Sequence, residues 1–204
     1  MIGAATDWPG HFPNVAESIR ALVAGGADVN ARASGPHRET ALHGAASSDY
    51  VEALDALLDA GADIEADGAV IAGGTPLDDA VAFAQWQAAR RLVERGAQTA
   101  IWHAAALGLL DRVEACLAAG MPRALHPWGG AESTPERDVT IAFWCACHGG
   151  RLEAAQYLLE KGAELNWVSP WDGLTPLDAA RRSEADAVAE WLETVGAQSA
   201  NSPG

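Results

Sequence analysis

Ile141 to Asn166, IAFWCACHGGRLEAAQYLLEKGAELN, is the stretch whose reading decides the fold. It reads as an apolar helix, a tight turn at Gly149-Gly150, and a second, amphipathic helix whose Leu152, Ala155, Leu158 and Leu159 recur at helical spacing. Two antiparallel helices follow from that pattern. Gly162 stands just after the last periodic residue, where a helix end takes the left-handed conformation that costs glycine nothing, and Lys161 sits beside the negative end of the helix dipole.

Working outward, the same unit recurs. Gly61, Gly96, Gly120, Gly162 and Gly196 each lie the same distance behind a helix opening at Thr40, Thr75, Thr99, Ile141 and Thr175. The unit ETALHGAASSDYVEALDALLDAGADIEA follows the pattern with Leu42, Ala45, Ala46, Leu54, Leu57 and Leu58 as core. Two further units open Thr75-Pro76-Leu77-Asp78 and Thr175-Pro176-Leu177-Asp178. There threonine caps the helix, proline takes its first position, and the acid three residues on reaches back to the cap. These openings and the close LLEKGAELN resemble an ankyrin repeat, with His43 at the histidine of the T-P-L-H-x-A-A opening.

The resemblance covers roughly residues 35 to 198 and implies an all-α fold with short β-hairpin loops. The expected architecture is an α-solenoid of about five ankyrin-like repeats plus a degenerate N-terminal cap, in one domain over 1–198. Residues 1–34 form the cap repeat: Ala16 to Asn30 fits a second helix, while Trp8-Pro9-Gly10 and Phe12-Pro13 interrupt the first. Repeats follow over 35–66, 67–98, 99–122, 141–170 and 171–198, the last a C-terminal cap, with 199–204 as a frayed tail. The 99–122 repeat lacks its hairpin, because no residues remain for one between Gly96 and Thr99. A long loop over 123–140 comes next, rich in Pro, Gly and charge.

Repeat register places side chains beside their equivalents on neighbouring units. The histidine position is filled by His43, Asp78, Trp102, Trp144 and Asp178, and the next one by Gly44, Asp79, His103, Cys145 and Ala179. By the resemblance, exposed ends of first helices and hairpin tips meet partners. That nominates Phe83, Leu107, His148, Trp171, Asp172, Arg181 and Arg182 for partner binding. Trp102, His103, Trp128 and Trp144 form a candidate ligand notch beside the missing hairpin, the indoles as apolar walls and a histidine as the polar group. The alternative for Trp102 and Trp144 is that they fill the space the hairpin vacates. Trp86 and Trp191 fall on inward second-helix positions and are expected in the core.

Composition limits the function classes. Formal charge is −15 over 204 residues, with no basic cluster larger than Arg90-Arg91 and Arg181-Arg182, so a nucleic-acid partner is not expected. The acidity suits solubility of an alanine-rich array, or masking of a basic partner. No leader-like N-terminus or apolar run near 18 residues is read, so neither export nor a membrane partner is expected. The three cysteines, Cys116, Cys145 and Cys147, fit a reducing cytoplasm. Cys145 and His148 share a helix face but Cys147 does not, which leaves a metal short of ligands. No cofactor motif or nucleophile motif is present. The expectation is a non-catalytic interaction scaffold whose partner is a protein, the alternative being small-molecule binding or unusual enzymatic activity in the Trp/His notch.

Overall fold

A computed structural model describes residues 13–34, 37–121, 126–128, 130 and 133–200. Among the described residues there are eleven helices and no strand. The chain divides into two compact units, Met1–Gln98 and Thr99–Gly204.

The first unit holds α1 (Val15–Ala24), the pair α2 (Ala41–Ser47) and α3 (Val51–Asp59), and the pair α4 (Pro76–Ala82) and α5 (Trp86–Glu94). Helix α1 lies where the second helix of a cap repeat was expected; the prolines and glycine expected to interrupt its partner lie, apart from Pro13, outside the described residues. Each short first helix is fixed by its cap. Thr40 N–H donates to His43 Nδ1 at 3.1 Å, and Thr75 N–H donates to Asp78 Oδ2 at 2.8 Å. Imidazole and carboxylate thus serve the same backbone group. Turns between paired helices use a left-handed residue at Asp49 and Ala84, each nine after its opening. Leu42, Ala45, Ala46, Leu54 and Leu57 are fully buried, whereas Leu58 lies half-buried at the margin.

The second unit holds α6 (Ile101–Leu107) and α7 (Leu110–Ala118), α8 (Pro135–His148) and α9 (Leu152–Glu160), and α10 (Pro176–Arg182) and α11 (Asp186–Thr194). Its left-handed turn residues, Gly108, Gly150 and Glu184, keep the same register. Two departures from the sequence expectation change the local reading. The cap of α6 is Ala100 rather than Thr99, and His103, not Trp102, takes the capping role by accepting from Ala100 N–H at 3.1 Å. The last six residues of the expected loop, Pro135–Thr140, are helix. Thr134 accepts from Arg137 N–H at 3.3 Å and Pro135 opens α8, so the helix runs through the opening read at Ile141.

The fingers before α4 and α10 are two-bond turns rather than strands. Gly68 and Ala69 N–H groups donate to Gly73 and Gly74 carbonyls, and Ser169 N–H donates to Leu174 O. At the C-terminus, Ser199 and Ala200 are tied to Asp178, the latter by an N–H donated at 2.8 Å, where fraying was expected; 201–204 lie outside the described residues. Trp86 and Trp191 are half-buried, not core, because outer helices have neighbours on fewer sides; Trp191 meets Phe143 edge-on at 6.5 Å.

Candidate functional site

The second unit gathers five tryptophans. Trp102 comes from α6, Trp144 from α8, Trp128 from the connection ahead of α8, and Trp167 and Trp171 from the finger ahead of α10. Trp128 lies 5.9 Å from Trp102 and 5.6 Å from Trp171, centroid to centroid. Trp171 in turn meets Trp144 at 5.2 Å and Trp167 at 5.4 Å, both edge to face. Aromatic quadrupoles favour such tilted arrangements over stacked ones, by about 0.5–1.5 kcal/mol per pair beyond area burial. Four of the rings are 9% exposed or less, and Trp171 is half-buried.

Polar groups of Trp144, Trp102 and His103 are engaged within the fold. Trp144 Nε1–H donates to Leu174 O at 3.1 Å, which ties α8 to the finger. Trp102 Nε1 faces His103 Nε2 at 3.2 Å while Ala100 N–H faces Nδ1. A neutral imidazole has one lone pair, and both edges of this one face donors from within the fold. His148 stacks on Trp144 at 5.2 Å, and its Nδ1 lies 2.8 Å from the Ser183 hydroxyl. The notch residues Trp102, His103 and Trp128 therefore meet as nominated, and Trp144 joins them through Trp171.

Of the nominated partner contacts, Phe83 ends α4 in the first unit and is 43% exposed. Leu107 and His148 were expected at the surface and are not: they are 7% and 3% exposed. The reason is the helix packed along α6. Helix α8 lies so close that a Cβ on Gly149 would stand 2.1 Å from Ala106 O, and Ser183 and Trp144 cover the imidazole. The remaining four residues are exposed or half-exposed. Arg182 donates to Asp172 at 2.7 Å, its guanidinium 5.7 Å from the Trp144 ring centre, while Arg181 pairs with Glu193 at 2.6 Å. Asp172 also accepts from Leu174 N–H at 3.2 Å and from the Ser169 hydroxyl, so the finger tip is held from within.

Trp167 was missed. Its signal was the WVSPW spacing, which sets two indoles four residues apart across a finger; Arg137 lies 5.6 Å over its ring. Among the described residues no group of three or more His, Cys, Asp or Glu side chains is placed to hold a metal ion, and no helix is long and apolar enough to cross a membrane. Burial pushes the Cys147 thiol far above its ordinary range, which keeps it protonated and unreactive.

No curated protein matches the sequence. The family model described as ankyrin repeats, three copies, matches residues 11–101, and a single ankyrin repeat model matches 141–169. The intervening 102–140 carries α6, α7 and the connection, which fold as the same kind of helix pair without the signature residues. With caps, turns and paired helices recurring at one spacing through both units, the chain belongs to the ankyrin repeat family.

Proposed function

We propose that the chain is a non-catalytic module that binds a partner protein, through Phe83 on the first unit and through Trp171, Asp172, Arg181 and Arg182 on the second. Ankyrin repeats generally serve protein–protein interaction. The observation that carries the reading is Trp171: three indoles hold its ring in place while part of it stays open to solvent. Tryptophan and arginine dominate interface hot spots, and a side chain already ordered loses little entropy on binding. Arg182 is ordered in the same way by Asp172 and Trp144. That none of the three cysteines is in a disulfide suits a reducing compartment such as the cytoplasm.

Small-molecule binding at Trp102, His103, Trp128 and Trp144 has less support, since those rings are turned on one another and the His103 lone pair is occupied. A photo-crosslinking residue at 83, at 171, or at the exposed second-helix position Gln156 separates the readings. The expected result is that positions 83 and 171 trap a protein in cells expressing the chain and position 156 does not. Equal labelling at all three, or none at 83 and 171, would overturn the proposal.

A further inference from the structure

Three positions after the openings at Thr40, Ile141 and Thr175 stand His43, Trp144 and Asp178. His43 Nδ1 accepts from Thr40 N–H at 3.1 Å, so the ring hydrogen is on Nε2, which lies 3.4 Å from Gly74 O. Trp144, at the same register in the other unit, donates from Nε1 to Leu174 O at 3.1 Å. Gly74 and Leu174 are equivalent. Each is the last finger residue before a threonine opening, and each carbonyl also closes its own finger, accepting from Ala69 or Ser169 N–H at 3.0 Å. Two unlike side chains thus offer one N–H to the second lone pair of the same finger carbonyl.

Asp178 has no hydrogen to offer. Its Oδ2 accepts from Thr175 N–H at 3.2 Å, which caps α10, and from Ala200 N–H at 2.8 Å, while the Ser199 hydroxyl donates to Oδ1. The chain leaving α11 is brought back to the start of α10 as a strap, held also by Gln198 N–H on Asn166 at 2.8 Å. A finger carbonyl set against this carboxylate would meet a second acceptor, and neither would be satisfied. The other carboxylate at this position, Asp78, precedes a repeat with no residues for a finger between Gly96 and Thr99. At Trp102 the indole N–H faces His103 instead, and the α8 that follows is entered through helical turns from Pro135.

We propose that this position selects what stands beside its repeat: an N–H donor seats a finger, and a carboxylate refuses a finger and holds a strap. Capping is unaffected by the choice, because imidazole and carboxylate both accept from the opening threonine's N–H. The seated fingers carry Val70 and Val168, 41% and 49% exposed, so His43 and Trp144 fix the footing of side chains open to a partner.

Exchanging the two residue types separates selection from capping. Amide hydrogen exchange is followed at neutral pH in full-length wild type, His43→Asp and Asp178→His, with Ala69 and Ala200 as reporters. Each rate is taken relative to Ala60 and Ala197, whose N–H groups donate to Ala56 O and Leu192 O, so that a general loss of stability cancels. His43→Asp keeps the cap and loses the donor, and exchange at Ala69 should rise about fivefold, as for one neutral hydrogen bond. Asp178→His keeps the cap and loses the acceptor, and exchange at Ala200 should rise about tenfold or more, since the lost bond is to a charged group. A position that only caps would move neither reporter. Unchanged exchange at Ala69 in the first variant or at Ala200 in the second overturns the proposal. So does a lack of protection at either reporter in wild type, a result that requires no variant to fold.

Discussion

Replacing Gly149 by alanine sets two known effects against each other, with opposite signs. Gly149 has φ −80° and ψ −3°, an ordinary helical conformation, so alanine there suffers no backbone strain. Helix propensity alone predicts a gain of about 1 kcal/mol. The added Cβ, however, would lie 2.1 Å from Ala106 O and 2.9 Å from its carbonyl carbon, backbone atoms that cannot swing aside. Relief requires α6 and α8 to part by about 1 Å, given ordinary contact distances near 3.5 Å. Overpacking of this kind costs about 1–3 kcal/mol. Parting the helices also weakens the bond from Arg151 Nε to Ala106 O at 3.1 Å, a charged hydrogen bond of about 1.5–3 kcal/mol. After the propensity gain, a net loss of about 2–4 kcal/mol is expected. Urea denaturation followed by far-UV circular dichroism measures it. A midpoint at or above that of wild type would refute the close approach of the two backbones.

Trp128→Ala should destabilise the second unit by about 3 kcal/mol, because the ring is 7% exposed and set against Trp102 and Trp171. A loss under about 1 kcal/mol in the same denaturation assay would mean that the connection does not pack as described. Burial holds the His43 imidazole down to about 4, the Gly74 carbonyl offsetting only part of the effect. Unfolded chains bind that proton near 6.5 and the native one does not until about 4, so stability should fall by about 3 kcal/mol as pH drops through that window. His43→Asp keeps a capping acceptor of the kind found at Asp78 and Asp178, and its urea midpoint should change less between pH 6.5 and 4.5 than that of wild type. Equal acid sensitivity in the two proteins would show that another group is responsible.

Spacing made the helix pairs legible, because capping and the left-handed turn are backbone requirements that fix residue types at set intervals. Thr40, Thr75 and Thr175 cap helices, and the turn residues follow nine positions later even where they are Ala84 or Glu184 rather than glycine. The start of α8 was written in Thr134-Pro135-Glu136, a threonine cap with proline at the first position, but the repeat register drew the boundary to Ile141. Exposure was read less well. Leu107 and His148 occupy positions that a lone repeat leaves open, and only the closeness of α6 to α8 and the reach of Ser183 cover them. Of the aromatic cluster, Trp102, Trp128 and Trp144 were grouped from position; the part of Trp167 and the keystone place of Trp171 depend on how a finger folds back, which periodicity does not encode.

The gathering of indoles has an optical consequence. Six of the eight tryptophans belong to the second unit, and five of those form a connected set with centroids 5.2–5.9 Å apart. Excitation entering any one of them passes among the rest, so emission is depolarised and collected at whichever ring has the lowest-energy surroundings, and His148 against Trp144 offers a route for quenching. In the first unit Trp86, on α5, is the one indole among the described residues. Intrinsic fluorescence is thus weighted toward residues 99–204, which hold six of the eight indoles, while the peptide-bond signal records both halves in proportion. Any lag between the two traces on heating measures directly whether the halves melt together.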